Sequence, residues 1–356
     1  MKISDKDFVR WERRSWKRMG KIPNIVIIGG GTGSYVVASG LSRAPVHITM
    51  LMTMVDDGGS NRIIRDEFGL LPTSGIRQAI VALSENKTVL RKLFTYRYSK
   101  GGEGLDGMTF GNLFMAAMAD IMGSQKKGIE ETCRILQVKG DIIPISYDNA
   151  RLMAKYEDGS EAVGEHNIDV SKSAGVRIKN LKILPAVKLN SKAKKAILEA
   201  DSIIIGPGDF YTNTIANLVV DGVVEALKKT KGEILFIANL MNSRSETPGY
   251  TLSDFFTDLK KYMPLRLVKK VLINSNNNFP KPALKAYARE DTFPVKDDLK
   301  SKIFGNGVKI IRTDLLSDKI SEKEKGDTLA RSMIRHDPDK LRTAILNITG
   351  SHTLSE

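Results

Sequence analysis

The feature that most constrains the fold is an apolar run that leads into a cluster of glycines and then into a stretch with helical spacing. Residues 24–41 read NIVIIGGGTGSYVVASGL, and residues 201–220 repeat the design as DSIIIGPGDFYTNTIANLVV. Short apolar runs bounded by glycines are typical of buried strands, and the stretch after each turn is typical of a helix. Each unit therefore predicts a strand, a tight turn and a helix of a parallel sheet.

The same alternation continues along most of the chain. Further apolar runs that are typical of buried parallel strands occur at residues 46–54, 233–238 and 268–273. Stretches with helical periodicity alternate with the strands near residues 33–43, 74–84, 109–122, 213–228 and 251–262. The pattern predicts the α/β class, with a doubly wound, mostly parallel, Rossmann-like sheet that helices cover on both faces.

Residues 138–188 interrupt this rhythm. Alternating segments flank the turn-forming residues Glu157 to Ser160, which predicts a small antiparallel β insertion. We therefore expect one α/β domain at residues 23–347 that carries the insertion at 138–188. A basic N-terminal extension at residues 1–22 precedes this domain, and a frayed tail at 348–356 follows it.

Composition narrows the cellular setting and the class of partner. The 356 residues include a single cysteine, Cys133, so an intrachain disulfide is impossible and a cytoplasmic location is expected. No apolar run approaches the roughly 20 residues of a transmembrane helix. The formal net charge of +14 favours phosphate-bearing or polyanionic ligands. The chain has no zinc-finger spacing, RNA-binding aromatic motif or helix-turn-helix, so we expect no specific nucleic-acid partner.

The first glycine turn has the composition of a phosphate cradle. Gly30, Gly31 and Gly33, with Thr32 between them, follow the strand and open the helix. Glycines let the backbone approach a phosphate closely, and the free N–H groups at a helix start attract an anion. Neither the dinucleotide fingerprint nor the phosphate-loop pattern is matched, so a tight turn without a ligand stays an alternative.

An acidic turn follows the second predicted strand. Asp56 and Asp57 would lie at its carboxyl end, where a carboxylate can accept hydrogen bonds from a ribose hydroxyl. Two adjacent carboxylates can instead hold Mg²⁺ together with the phosphates of a ligand. A plain Asp-Gly turn is the alternative. The turn is completed by Gly58, Gly59 and Ser60.

The second glycine turn offers another set of candidate ligand residues. Thr212 and Asn213 are suitable helix caps and candidate phosphate donors. Tyr211 could stack on a base, or it could pack in the core with its hydroxyl satisfied. Two glycine turns at the carboxyl ends of parallel strands are expected to flank one crevice. The turn itself consists of Gly206, Pro207 and Gly208.

Three further polar residues are candidates for the same crevice. Arg77 could balance the charge of the acidic turn, or it could be a solvated helix residue. Asn112 opens a predicted helix and offers both a donor and an acceptor, although it could equally satisfy helix-end backbone groups. Asn239 falls at the carboxyl end of a predicted strand, in a position that could line the crevice.

The sequence offers no strong candidate for covalent or acid–base chemistry. The four histidines form no metal-ligand pair, and no Gly-x-Ser-x-Gly nucleophile elbow occurs. Cys133 falls in a predicted helix and is typical of a core thiol. The residues therefore indicate no catalytic group, and they favour a binding protein over an enzyme.

Taken together, six segments resemble the gluconeogenesis-factor (YvcK-like) family, within the superfamily of CofD-like 2-phospho-L-lactate transferases. They occur in the family order over about residues 23–347, as VIIGGGTGSY, VDDGGSNRIIRDEFGLLP, FGNLFMAAMADIMG, GPGDFYTNTIANLVV, ANLMNSRSETPGYTLSDF and RHDPDKL. The resemblance implies a nucleotide site at the switch crevice of a doubly wound domain. By position it implies that Gly30 to Gly33 and Gly206 to Thr212 hold a diphosphate. It likewise implies that Asp56 and Asp57 face a ribose or a metal, and that Asn112 and Asn239 line the crevice.

The two branches of the superfamily imply different activities. Transferase relatives attach phospholactate to a deazaflavin, with a guanosine-diphosphate-linked donor and Mg²⁺. Gluconeogenesis-factor relatives bind UDP-sugars and influence central carbon metabolism, cell shape and envelope synthesis, and the motifs GGGTG, DDGGS and GPG-x-x-YT follow their style. Gly75 stands where the family usually has an aspartate, which counts against metal-assisted transfer. Asp209 stands where a serine is common, and its charge would repel a diphosphate unless it is bridged by a cation or turned away.

The leading hypothesis is a cytoplasmic regulator that binds a UDP-sugar such as UDP-N-acetylglucosamine. One alternative is a Mg²⁺-dependent transferase of the CofD type, in which Asp56 or Asp57 holds the metal. A second alternative is an NAD-binding protein, which the mismatch to the dinucleotide fingerprint disfavours. The sequence leaves the base, the sugar and the metal requirement open, and it does not distinguish a monomer from a homodimer.

Overall fold

The computed structural model describes residues 22–58, 60–84, 89–102, 105–171, 174–305, 307–321 and 333–350. Most of the predicted N-terminal extension, the residues after Gly350, and Gly59 lie outside these ranges. Within them the chain forms ten strands: β1 (Asn24–Ile28), β2 (His47–Met52), β3 (Asp141–Pro144), β4 (Arg151–Tyr156), β5 (Glu161–Val163), β6 (Ile178–Leu184), β7 (Ser202–Ile205), β8 (Glu233–Ile237), β9 (Val268–Asn274) and β10 (Lys309–Thr313).

The described helices alternate with these strands. The α-helices are α1 (Gly31–Leu41), α2 (Ser60–Asp66), α3 (Ser74–Leu83), α4 (Val89–Thr95), α5 (Phe110–Ile121), α6 (Gln125–Ile135), α7 (Glu165–Asp169), α8 (Ser191–Glu199), α9 (Ala216–Leu218), α10 (Val223–Lys229), α11 (Leu252–Leu259), α12 (Lys281–Ala288) and α13 (Pro338–Thr349). A π-helix (Phe210–Ile215) precedes α9, and short 3₁₀ turns occur at Leu265–Leu267 and Ser301–Phe304. None of the described helices has the length and apolar content that a bilayer crossing requires.

The main sheet has seven parallel strands in the order β10-β9-β8-β7-β1-β2-β3. From β1 the chain adds β2 and β3 on one side. It then returns to pair β7 with the other side of β1, and it continues outward through β8, β9 and β10. This order confirms the predicted doubly wound sheet and puts its switch point between β1 and β7.

Burial on both faces explains why the strands are apolar throughout. Side chains alternate between the faces of a strand. Accordingly, Ile25 and Ile27 pack into the core on the face of α1, α3 and α13, whereas Val26 and Ile28 pack on the face of α8, α10 and α11. A strand without a polar face is what a sheet covered on both sides requires.

The antiparallel insertion is the sheet β5-β4-β6. It confirms the predicted antiparallel element, and the turn at residues 157–160 connects β4 to β5. The predicted insertion range of 138–188 also contains β3, which pairs in parallel with β2 and forms an edge of the main sheet. With only four residues, β3 is too short for periodicity to distinguish it from the strands that follow.

The predicted helix at residues 213–228 is divided in the structure. The π-helix and α9 end before Gly222, which has a φ of 95° and precedes α10. A left-handed residue cannot continue a right-handed helix, so the glycine separates two helices that share one apolar pattern. The π-helix begins directly after the second glycine turn, and it therefore sets the direction of the backbone at the switch point.

Candidate functional site

A cavity of about 350 Å³ lies at the carboxyl end of the main sheet. Its wall is formed by the segments that follow β1, β2, β7 and β8, together with the start of α3 and residues 334–336. The strands β1 and β7 flank the switch point, where doubly wound sheets bind their ligands. A volume in the range of roughly 300–1,000 Å³ is typical of small-molecule sites.

The two glycine turns are in direct contact. The Ser34 hydroxyl donates to the carbonyl of Pro207 at 2.9 Å. A Cβ atom on Gly33 would lie 2.6 Å from that same carbonyl oxygen, and one on Gly208 would lie 2.6 Å from the carbonyl oxygen of Gly30. Only residues without a side chain allow this approach. The structure therefore brings the two glycine turns together, and Gly30 to Gly33, Pro207 and Gly208 form one wall.

The start of α1 forms part of the cavity wall through Gly30, Gly31, Thr32 and Gly33. The N–H of Gly31 donates to the hydroxyl of Tyr35, which lines the cavity as well. Gly31 has a φ of 67°, a conformation that glycine adopts without strain. A helix N-terminus carries partial positive charge, so this end of α1 can hold an anion.

The start of the π-helix, in contrast, is already occupied by a carboxyl group of the protein. The Glu246 carboxyl accepts hydrogen bonds from the backbone N–H of Tyr211 at 2.7 Å and from that of Thr212 at 3.4 Å. The Thr212 hydroxyl donates to it at 2.5 Å. Thr212 lines the cavity, yet these donors are used within the protein. The amide groups at the start of the π-helix are therefore not available to a ligand, which leaves the start of α1 as the candidate anion site.

Of three further candidate residues that contact or belong to the region of the second turn, two line the cavity and one does not. Asn213 lines the cavity, and its side chain lies against Gly30 and Gly31. Gly206 lies behind the wall, where its N–H donates to the carbonyl of Ile28 at 3.2 Å. Asn239 lines the cavity and donates to the carbonyl of Gly208 at 2.7 Å, which fixes the turn against β8.

Tyr211 lies in the core and does not line the cavity. Its hydroxyl donates to the carboxylate of Asp258 and lies 3.0 Å from the carbonyl oxygen of Ile178, the first residue of β6. Its ring makes an edge-to-face contact with Phe210. Tyr211 therefore connects the small sheet to α11, and the structure does not place it for stacking on a base in this cavity.

The carboxylates of the acidic turn point to different partners. Asp56 lines the cavity and accepts hydrogen bonds from the N–H of Gly58 at 2.9 Å and from the Asn61 amide at 2.6 Å. Asp57 is turned away and accepts from the N–H of His166 at 2.9 Å. The arrangement does not fit a metal ion shared by the pair. Nowhere in the described ranges do three His, Cys, Asp or Glu side chains form a group that could hold one.

Gly58 is the next residue of the acidic turn that the structure describes. Gly58 lies against Asp56 and His166 and does not line the cavity. Ser60 begins α2, and its side chain, like Gly59, is outside what the structure describes. Of the two carboxyl groups of the acidic turn, only that of Asp56 therefore lies in the described cavity wall.

Arg77 and Asn112 lie behind the wall. Both are buried, Arg77 with 4% of its surface exposed. The Arg77 side chain packs so closely on Gly111 that a Cβ atom there would lie 2.7 Å from its Cδ. Asn112 donates to the hydroxyl of Ser74, which does line the cavity, at 3.3 Å. Both residues support the start of α3 from behind.

The charge of the cavity wall is mainly acidic. Asp56, Glu165 and Asp209 contribute carboxyl groups, whereas Arg335 is the one lysine or arginine among the described wall residues. Burial raises the pKa of Glu165 well above its ordinary value, with repulsion from Asp56 next in effect. Burial also raises the pKa of Asp56, which shares a hydrogen bond with Glu165. Both pKa shifts favour protonation of the pair, and a protonated carboxyl group repels an anionic ligand less.

Sequence reasoning missed several residues of the wall. Glu165 comes from the insertion, and Tyr35 from the second turn of α1. Arg335 and His336 come from the segment RHDPDKL, in which the sequence analysis named no candidate site residue. The order of motifs in the resembling family was the one signal that could have drawn attention to this segment.

The buried carboxyl group of Glu246 should make stability depend on pH. Burial raises its pKa from 4.5 to about 8, and repulsion from Asp209 adds to the effect. The folded protein therefore keeps a proton that the unfolded chain loses near pH 4.5, so stability from this group is complete below pH 4.5 and is lost as the pH rises through 8. We expect the Tm of Glu246→Gln to fall less between pH 5 and 9 than that of the wild type in thermal melts. Parallel pH profiles of the two proteins would contradict this assignment.

Comparison with known proteins identifies relatives over most of the chain. Residues 25–316 match the family described as 2-phospho-L-lactate transferase CofD. The gluconeogenesis factor of Halalkalibacterium halodurans is 36% identical over 328 residues, which cover 92% of this chain and 96% of the relative. That of Bacillus subtilis is 33% identical over 331 residues, which cover 93% and 99%. A crystal structure of a UPF0052-family protein from Bacillus halodurans has a TM-score of 0.82 at 34% identity, covering 92% of this chain and 99% of that one.

Proposed function

The chain belongs to the CofD-like family that includes the gluconeogenesis factors, and on this premise we propose that it is a cytoplasmic regulator that binds a UDP-sugar such as UDP-N-acetylglucosamine. The ligand would occupy the cavity at the switch point. Through its occupancy the protein would act on central carbon metabolism, cell shape and envelope synthesis.

The observation that carries the proposal is the position of the N-terminus of α1 in the cavity wall. Gly30 to Gly33 line the cavity, and Arg335 adds a guanidinium to the same wall. Oriented amide groups and a guanidinium are the groups that proteins use to bind phosphate oxygens. The diphosphate of a nucleotide sugar would therefore lie against the first glycine turn.

A binding role is favoured over phosphoester transfer by the acidic turn. The transferase alternative needs a metal ion at Asp56 or Asp57, but Asp57 is held by His166 and both oxygens of Asp56 already accept hydrogen bonds. Gly75, which lines the cavity where an aspartate would be usual, supplies no carboxylate to replace them. Binding without metal-assisted chemistry suits this wall better.

Calorimetry with a set of nucleotides tests the proposal. We expect saturable binding of UDP-N-acetylglucosamine and UDP-glucose, and much weaker binding of GDP and NAD. Because the acidic turn uses its carboxylates internally, EDTA should change the affinity for the UDP-sugars by less than about threefold. Tight binding of GDP with no saturable binding of either UDP-sugar would reject the proposal and favour the transferase alternative. Selective retention of NAD would favour the dinucleotide alternative.

A further inference from the structure

His336 brings a buried acceptor to the cavity wall. Its side chain is about 5% exposed and lines the cavity beside Arg335. One ring nitrogen is hydrogen-bonded to the backbone carbonyl of Ala238, the residue after β8. The other, Nε2, has no hydrogen-bond partner among the described residues. The Ala238 contact therefore belongs to Nδ1, which must carry the proton.

The ring is neutral, and this fixes what Nε2 can do. Burial lowers the pKa of His336 to about 4, so at neutral pH only one nitrogen is protonated. With that proton on Nδ1, Nε2 presents a lone pair and acts as an acceptor. A buried acceptor without a partner destabilises the site, so a group that can donate a hydrogen bond to it gains a corresponding advantage.

The backbone around His336 is held firmly. The N–H of Asp337 donates to the carbonyl of Leu315 at 2.7 Å, and the N–H of Ser317 donates to the carbonyl of Arg335 at 3.0 Å. The Tyr287 hydroxyl accepts from the N–H of Met333 at 3.1 Å. These contacts place the ring before any ligand binds, so little conformational entropy is lost when its nitrogen is used.

We propose that His336 is a specificity-determining residue of the cavity, which accepts a hydrogen bond through Nε2 from an O–H or N–H group of the bound nucleotide. The inference rests on the proposed function. A neutral acceptor repels phosphate oxygens, and the neighbouring Leu240, Met241 and Ile334 are apolar. This part of the wall therefore suits an uncharged part of the ligand, either a sugar hydroxyl or amide or the N3–H of the base.

Two variants separate the two ring nitrogens. The amide of His336→Asn reaches the position of Nδ1 and keeps the contact with Ala238, whereas it lacks a group at the position of Nε2. We expect this variant to bind UDP-N-acetylglucosamine about tenfold more weakly, with little change in Tm. His336→Gln extends its amide oxygen towards the position of Nε2 and should recover most of the affinity. If wild type and His336→Asn had the same affinity for UDP-N-acetylglucosamine, and also the same affinity for UDP, the inference would be overturned.

Ligand analogues identify the donor and give a test that needs no variant. If the donor lies on the sugar, His336→Asn weakens UDP-N-acetylglucosamine and leaves UDP unchanged. If it lies on the base, both weaken, and N3-methyl-UDP binds the wild type about tenfold more weakly than UDP. If His336→Asn does not fold, the wild type alone provides the test. The inference is overturned if the wild type binds N3-methyl-UDP as tightly as UDP and also binds UDP-N-acetylglucosamine no more tightly than UDP.

Failure of the proposed function would show in the wild type, which would not bind UDP-sugars. In that case the same pair of variants is compared on the nucleotide that the wild type does bind. Unchanged affinity of His336→Asn for that nucleotide would overturn the role of His336. A wild type that binds no nucleotide would overturn both inferences.

Discussion

Gly33→Ala should abolish saturable binding of UDP-sugars while the protein still folds. The added Cβ would lie 2.6 Å from the carbonyl oxygen of Pro207 and 2.8 Å from its carbonyl carbon, so backbone must move on one side or the other. That movement separates the two glycine turns and displaces the first amide groups of α1 from the cavity. We expect the affinity to fall more than about 100-fold, and the overpacking to cost about 1–3 kcal/mol of stability. Calorimetry and chemical denaturation measure the two effects.

Gly40→Ala is the matched control for this variant. It lies on the same helix, α1, and its Cβ would lie 2.3 Å from the carbonyl oxygen of Pro338 at the start of α13, away from the cavity. It should lose a similar amount of stability and keep its affinity for the ligand. If Gly33→Ala kept wild-type affinity, or if both variants lost it equally, the first glycine turn would not be part of the binding site.

Arg335→Ala should have the second largest effect on binding. Arg335 is the one lysine or arginine among the described residues of a wall that also holds three carboxyl groups. A hydrogen bond to a charged group contributes about 1.5–3 kcal/mol, which corresponds to roughly 10- to 100-fold in affinity. We expect titrations with UDP-N-acetylglucosamine to show a loss in this range. Arg335→Lys should recover only part of it, because an ammonium group lacks the planar fork of a guanidinium.

Arg312→Ala controls for the change in net charge. Arg312 lies on β10, outside the cavity wall, and its guanidinium is paired with Asp297 at 2.6 Å. Its loss alters the charge of the protein by the same amount as the loss of Arg335. If the two alanine variants weakened binding equally, the effect would come from the overall charge, and Arg335 would not contact the phosphates.

The features that were predictable from the sequence are those that local pattern determines. Ile25 to Ile28 are apolar because both faces of β1 are covered, and this pattern is visible in a few consecutive residues. Gly30, Gly31 and Gly33 could be linked to the cavity because glycines between a strand and a helix mark a close backbone approach. The position of the crevice then followed from the rule for doubly wound sheets.

The features that were not predictable depend on contacts between distant segments. The carboxyl group of Glu246 accepts a hydrogen bond from the first turn of the π-helix, 35 positions earlier in the chain. No spacing in the sequence indicates that pairing. His166 lies 109 positions after Asp57, yet its N–H turns that carboxylate away from its neighbour. Adjacent carboxylates therefore look like a shared metal site in sequence, and only the tertiary structure shows that they serve different partners.

The pairing of β1 with β7 has a consequence for synthesis on the ribosome. Asn24 at the start of β1 donates to the side chain of Asp201 across 177 positions of chain. At about 5–20 residues per second, roughly 10–35 s separate the emergence of these two segments. During that interval one edge of the central strand has no partner, which is the situation in which strands associate with other chains. Until β7 emerges, a nascent molecule therefore exposes the edge of β1 that β7 covers in the finished molecule.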